Sequence, residues 1–221
     1  MTLDTSFMLE HVPDFVHAAL VTIGIAGAAI AASLLVAVFN SILLYFRVPI
    51  LTAIVRAYIE VARNTPLLIQ LFFLYFALPS IGIRMSSYTT ALLAMTFLGG
   101  GYLTEVFRAG IEAVPKSQLE SGLALGLSRW QLFRDIVLPQ ALRIATPSLF
   151  ANFIFLLKET TVVSAVAVPE ILYTTTNYIA LYYKTYEMLL MMTVLYLLLF
   201  LPLSFVLSWL ERRFQHGQFG T

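Results

Sequence analysis

The sequence predicts an all-α, polytopic membrane protein: one transmembrane domain over residues 1–221, with five membrane helices and one organised loop. Three observations carry that prediction. Of 221 residues, 60% are hydrophobic and only 11% charged, a balance that soluble domains do not show. Apolar stretches near the roughly 20 residues needed to cross a bilayer recur along the chain. Lys and Arg gather in alternate connections between those stretches, as the positive-inside rule requires of a chain with fixed orientation.

Taken in order, residues 1–15 carry Asp4, Glu10 and Asp14 and no Lys or Arg. They read as a retained tail and not as a cleavable signal peptide, which opens on a basic segment. The first span, 18–46, is longer than a crossing needs, so tilt or projection is expected. In 49–64, Ile50, Ile54, Tyr58 and Val61 form one helical stripe and Arg56 and Glu60 lie on another face, the pattern of an interfacial or span-extending helix. The second span is set at 66–83, with Thr65 as N-cap and Pro66 at the first helical position. The remaining spans are 87–105, 145–168 and 188–210.

Orientation follows from the basic residues. With the N-terminus outside, Arg47, Arg56, Arg63, Arg108, Lys116, Arg129, Arg134, Arg143, Arg212 and Arg213 all face the cytoplasm. Arg84 and Lys184 fall outside, and Lys158 falls within the fourth span. The C-terminus and the long connection 112–143 are then cytoplasmic.

That connection is more organised than a tether needs to be. Ser117 with Glu120, and Ser128 with Gln131, have capping-box spacing. Gly126 between them suits a left-handed helix end, where a Cβ is costly. Leu119, Leu123, Trp130 and Phe133 give the two short helices an apolar edge. A helix–turn–helix with apolar knobs at a membrane surface is built to touch another protein.

Other chemistries find no support. There is no cysteine, hence no disulfide, thiolate metal site or cysteine nucleophile. His11, His17 and His216 lie near the two ends and form no ligand cluster. No Gly-x-x-x-x-Gly-Lys-[Ser/Thr] loop is present, and Gly99-Gly100-Gly101 is embedded in an apolar span without the strand–helix context of a phosphate loop. If ATP supplies the energy, another polypeptide must hydrolyse it.

The spacing within 112–143 resembles the EAA loop of permease subunits of ATP-binding-cassette importers: Glu-Ala-Ala, three residues, Gly, nine residues, Ile-x-Leu-Pro. Here Glu120-Ser121-Gly122 precedes Gly126 and then Ile136-Val137-Leu138-Pro139, with both gaps kept. Ser121-Gly122 departs from the two alanines, and a glycine costs about 1 kcal/mol against alanine in a helix. Further segments are similar to the polar amino-acid branch of that family: Arg63-Asn64-Thr65-Pro66-Leu67-Leu68, with Asn64 for the usual glycine; residues 105–111; residues 138–143; and residues 156–161, leading to Val168-Pro169-Glu170. The resemblance covers about residues 22–213. It implies a bacterial inner-membrane permease that pairs with a second, identical or related, permease subunit. It also implies ATPase subunits beneath, holding the ATP and Mg so that this chain has no cofactor, and an extracytoplasmic amino-acid-binding protein. Enzyme activity and nucleic-acid binding are not implied.

On that resemblance Glu120, Ser121, Gly122, Gly126, Trp130, Leu138 and Pro139 form the ATPase-coupling element; a capped surface helix without a partner is the plain alternative. Substrate-pathway candidates are Glu159, Lys158, Thr160, Glu105, Tyr102 and Gly101. Burying a charge mid-span costs at least ~2.5 kcal/mol, which points to pathway or pairing roles for Lys158 and Glu159. Adjacent helical residues point about 100° apart, so the two serve different faces. A carboxylate at Glu159 suits an α-ammonium or a cationic side chain. Glu105 lies on the segment the family places along the translocation path, and pairs equally well with Arg108 at i+3. Relatives carry a small hydroxyl residue before the tyrosine where this chain has Gly100-Gly101, which widens a pathway or permits close helix packing. Met188, Met191 and Met192 read as packing or lipid contact. Glu170 and Glu187 fall outside, as docking residues for a binding protein or as ordinary surface acids. The alternative function is an ion-coupled secondary transporter using Lys158, Glu159 and Glu105, against which stand the odd span count and the lack of an internal repeat.

Overall fold

The computed structural model describes residues 3–215; His216 lies outside them. Among the described residues the chain is helical throughout, with no strand. A short α1 (Thr5–Glu10) leads into α2 (Val12–Phe46), then α3 (Leu51–Asn64) and α4 (Leu67–Phe72), which continues as a π turn (Phe73–Ala77) and a 3-10 turn (Leu78–Ile81). After α5 (Ser87–Glu112) come α6 (Lys116–Ala124) and α7 (Arg129–Gln131), a π segment (Leu132–Val137) and α8 (Leu138–Glu159) with a 3-10 extension (Thr160–Val166). The chain closes with α9 (Ile171–Tyr182) and α10 (Thr185–Gln215).

Four helices are long and apolar enough to cross a membrane, and a fifth crossing arises if α3 and Leu67–Ile81, meeting at 106°, count as one broken span. The expected second span, 66–83, is a helical run over Leu67–Ile81 that is long enough to cross only together with α3. Its start differs from expectation: Thr65 ends α3 in extended conformation, and Pro66 is the residue before α4 with no side-chain cap. Thr65 precedes a proline, which disfavours helical backbone there. The other spans sit where expected but run further. The third continues to Glu112, and the fourth begins at Leu138 inside the presumed loop.

The bundle is organised around α5, against which α2, α3 and α8 pack. On α2 the buried positions Ala26, Ala29, Ser33, Ala37 and Ser41 recur at helical spacing, a seam of small residues. With no hydrophobic drive between helices in lipid, such seams bind by close contact. One buried hydroxyl in it is satisfied across the seam: Thr104 Oγ1 donates to the Gly100 carbonyl at 2.6 Å and accepts from Asn40 Nδ2 at 3.3 Å. By contrast α10 lies at the periphery, and no residue of its apolar window is buried. Met188 at its start is fully buried and Met192 packs on Ala18, Ala19 and Ile171, the packing role read for that cluster.

Glu170 and Glu187 are not surface acids: they are 0% and 8% exposed. Glu170 caps α9, accepting from the Tyr173 amide at 2.6 Å and from the Tyr196 hydroxyl at 3.2 Å. Glu187 accepts from the Asp4 amide at 3.2 Å, beside the Lys184–Asp4 ion pair at 2.8 Å that ties α1 to the start of α10. A docking role for either glutamate is therefore withdrawn.

Removing the buried cap by Glu170→Ala should lower stability by about 2 kcal/mol, a lost cap plus an unpaired tyrosine hydroxyl. A thermal melt in detergent, with Tyr196→Phe added to relieve the unpaired hydroxyl, measures it. The hydrogen bonds from Lys184 and then the Phe7 amide hold the Asp4 carboxyl below its ordinary 3.8. Folding thus favours its ionised form. The tether is complete above the unfolded value and is lost as pH falls through the lower folded one. Protection of the α1 amides relative to their intrinsic exchange should fall below about pH 4, and that fall should be absent in Asp4→Asn.

Candidate functional site

The break between α3 and α4 sets the height of the site. Tyr58 of α3 donates to the Phe97 carbonyl of α5 at 2.8 Å. A Cβ on Gly100 would strike the Tyr58 hydroxyl, and one on Gly101 would lie 2.7 Å from Ala62 Cβ. The glycines are therefore a helix-packing seam. Gly101, predicted for the substrate pathway, abuts α3 and lines no cavity described here. Because α3 ends opposite Gly101 and Tyr102, its C-terminus stops about 20 Å along α5 from Ser87 at 1.5 Å per residue. That is near mid-bundle. Gln70, two turns on, donates to the Ala62 carbonyl at 3.1 Å and the Thr65 carbonyl at 3.0 Å, satisfying acceptors that the break leaves open.

At this break lies an upper cavity of about 300 Å³, lined by Arg63, Asn64, Thr65, Pro66, Leu67, Leu98, Tyr102, Phe155 and Glu159. The Arg63 guanidinium sits 5.4 Å from the Tyr102 ring centre, and Tyr102 and Phe155 rings are 5.3 Å apart. Glu159 is half-buried and has no hydrogen bond or ion pair among the described residues, so its carboxylate is available. A guanidinium, a carboxylate and two aromatic rings thus share one small cavity in an apolar bundle.

The other predicted pathway residues divide. Lys158 is exposed and lines neither this cavity nor the next, consistent with the 100° offset from Glu159. Thr160 is buried with its hydroxyl spent on the Leu157 carbonyl at 2.7 Å. Glu105 lies outside the upper cavity and accepts from Arg108 Nε at 2.9 Å, as the plain i+3 reading had it. It also stands 4.0 Å from Arg63. Arg63 and Gln70 were missed. Arg63 read as a positive-inside anchor, although a cation beside Asn-Thr-Pro, where a helix must break, was a usable signal. Gln70, the lone amide in a greasy run, was another.

Beneath the upper cavity a larger one, about 790 Å³, extends from Arg63 and Glu105 to the connection 112–143, reaching Lys116, Leu119, Leu123, Arg129, Leu132 and Val137. That connection is a helical hairpin. The Ser128–Gln131 capping box is present in both directions. The Ser117–Glu120 box is not: α6 starts at Lys116 behind Pro115, which leaves Ser117 inside the helix and no side-chain cap. Gly126 has φ +80°, and Leu127 N to Gly122 O at 3.1 Å with Gly126 N to Leu123 O at 3.0 Å completes a Schellman end. Gly122 is buried where a Cβ would meet Leu132 Cδ1 at 2.5 Å. Its departure from alanine lets α6 seat on the π segment. Val114, Leu132, Phe133, Val137 and Ala141 form the hairpin core, with Leu138 against it. Trp130, half-exposed, stacks 6.0 Å from Phe46 at the end of α2. Glu120, Ser121 and Pro139 stay exposed at the surface, and Leu125, 81% exposed, marks the tip.

Apolar crossing helices, two cavities in line and an ordered hairpin at one end define a membrane transport subunit. The chain belongs to the family of binding-protein-dependent transport system inner membrane components, which it matches over residues 29–216. It is a multi-pass permease subunit of an ATP-binding-cassette importer, and that membership sets aside the ion-coupled alternative. It is 33% identical over 215 residues to the glutamine transport system permease protein GlnP of Escherichia coli (strain K12), covering 96% of this chain and 98% of the relative. It is 35% identical over 168 residues to the probable glutamine ABC transporter permease protein GlnP of Bacillus subtilis (strain 168), covering 76% and 77%. A chain from the crystal structure of an amino acid ABC transporter with histidines superposes with TM-score 0.90 at 29% identity, covering 96% of this chain and 100% of that one.

At Gly126 a Cβ would touch nothing within 4 Å, so only the positive φ demands glycine. Gly126→Val should cost the hairpin about 1–2 kcal/mol, whereas Gly126→Asn, which tolerates that backbone, should be near neutral. Hydrogen exchange at Leu127 distinguishes the two.

Proposed function

We propose that this permease imports a polar amino acid through the upper cavity, with Arg63 taking the α-carboxylate and Glu159 the α-ammonium. The observation that carries the reading is that these two opposite charges line one cavity with Tyr102 and Phe155, and that the Glu159 carboxylate has no hydrogen bond or ion pair among the described residues. A planar guanidinium suits a carboxylate. A desolvated carboxylate in turn favours an ammonium over water. The relatives named as glutamine permeases support a neutral polar cargo.

The N-terminus is outside and the hairpin cytoplasmic, since that orientation places the basic residues of α3, the end of α5 and the hairpin on one side. Glu120, Ser121, Gly122, Gly126, Trp130, Leu138 and Pro139 then form the element on which an ATPase subunit docks. A rigid hairpin whose core continues into α2 and α8 passes force to the spans better than a slack loop. ATP and Mg bind in that ATPase and not here. A second permease subunit and an extracytoplasmic binding protein complete the machine.

Reconstituted with its ATPase and binding protein in liposomes, the permease should take up one or a few polar amino acids with ATP, and the same amino acids should stimulate the ATPase. Glu159→Gln should cut uptake about tenfold or more, as expected for a lost charge-assisted contact, while basal ATPase activity persists. Equal loss of both would make Glu159 structural. No stimulation by any amino acid would overturn the substrate class.

A further inference from the structure

The two cavities share one residue. Arg63 lines both, whereas Tyr102 lines only the upper and Glu105 only the lower. Its guanidinium is held from both: 5.4 Å from the Tyr102 ring centre and 4.0 Å from Glu105 Oε1. Glu105 is itself fixed, accepting from Arg108 Nε at 2.9 Å, and Arg108 also pairs with Glu112 one turn on. Along α3, Arg56, Glu60 and Arg63 stand four and three residues apart; along α5, Glu105, Arg108 and Glu112 stand three and four apart. All six line the lower cavity, so two charged ladders meet across it. Such a charged wall in an apolar bundle is that of a wetted passage. At its inner end the ladders touch, and the side chain that touches also walls the upper cavity.

We propose that Arg63 is the inner gate of the import path, that Glu105 is the positioning residue that sets it across the passage, and that the lower cavity is the exit vestibule. The proposal rests on import through the upper cavity. An amino acid leaving Glu159 for the hairpin end meets the Arg63 side chain first. Arg63 must leave Glu105 or Tyr102 for cargo to pass. The Arg63–Glu105 contact joins α3 to α5, while Arg108 and Glu112 lie on α5 with Glu105. Parting α3 from α5 therefore breaks one ion pair and leaves the α5 ladder intact. The contact is part-exposed, 39% and 28% for the two side chains, which keeps it weak enough to open and close during a cycle.

The sequence has no cysteine, so Thr65→Cys gives this chain a single thiol, in the upper cavity, and labelling is read on this chain after the subunits are separated. In the full complex in liposomes, a membrane-impermeant maleimide applied from the hairpin side should label it slowly. Adding Glu105→Gln should speed labelling about fivefold, the shift in open population from losing a part-exposed ion pair. It should also raise ATP-independent efflux of preloaded amino acid, and Glu105→Asp should restore slow labelling. Without touching the pair, raising salt from about 0.1 to about 1 M shortens screening from about 10 to about 3 Å and should likewise speed labelling. Unchanged labelling in both Glu105→Gln and high salt overturns the gate. The labelling needs no transported substrate, so a complex that imports no amino acid defeats the functional reading while labelling still decides the gate.

Discussion

A chain in hydrocarbon cannot leave backbone carbonyls without partners, and the break that Pro66 imposes at Asn64-Thr65-Pro66 is tolerated because Gln70 supplies them. One side-chain amide donates to the Ala62 and Thr65 carbonyls, where each unsatisfied acceptor would cost several kcal/mol in lipid. Everything distinctive in the bundle depends on that repair. It stops α3 at mid-height, sets Arg63 beside Tyr102, and opens the space that Glu159 enters from the end of α8. An unbroken helix over the same residues would carry Arg63 on a continuous wall with no cavity at its end.

The hairpin is joined to the bundle by the same economy of small residues that joins α2 to α5. Gly122 lets α6 lie on the π segment, and Tyr45 and Phe46 of α2 meet Phe133 and Trp130 through ring contacts of 4.6 and 6.0 Å. The π segment runs without interruption into α8, whose far end carries Glu159. The surface of the hairpin and the carboxylate of the upper cavity are thus two ends of one continuous helical run. A push at the first is not lost in a loop before it reaches the second.

Much of this was legible in the sequence, and the failures have physical causes. Hydrophobic length located the spans because lipid imposes it, and the Gly126 turn was readable because only the backbone φ demands that residue. The Ser128 box was right and the Ser117 box wrong, since Pro115 starts α6 two residues earlier than the serine would. Pattern placed the break between the helix 49–64 and the span from 66 correctly but took Thr65 as the cap of that span, because a threonine before a proline looks alike whether it ends one helix or starts the next. Glu170 and Glu187 looked like surface acids, as their partners are backbone amides and a tyrosine far along the chain. Of the pathway residues, Glu159 and Tyr102 reach the upper cavity. Gly101, Thr160 and Lys158 do not, and that distinction lies in which way each helix face turns.

The glycine seam has a mechanical consequence. Tyr58 and Ala62 press on Gly100 and Gly101 with no room for a methyl group, so α3 is clamped to α5 in its inner half. A rod pinned off its centre is a lever with unequal arms. At 1.5 Å per residue, measured from Glu60 midway between the two contacts, the arm to Leu51 is about 14 Å and that to Arg63 about 5 Å. A broad sway of α3 at the membrane surface becomes, at the mid-bundle tip, a displacement roughly threefold smaller. The fulcrum thus steps large surface movements down to the scale of a single side-chain contact.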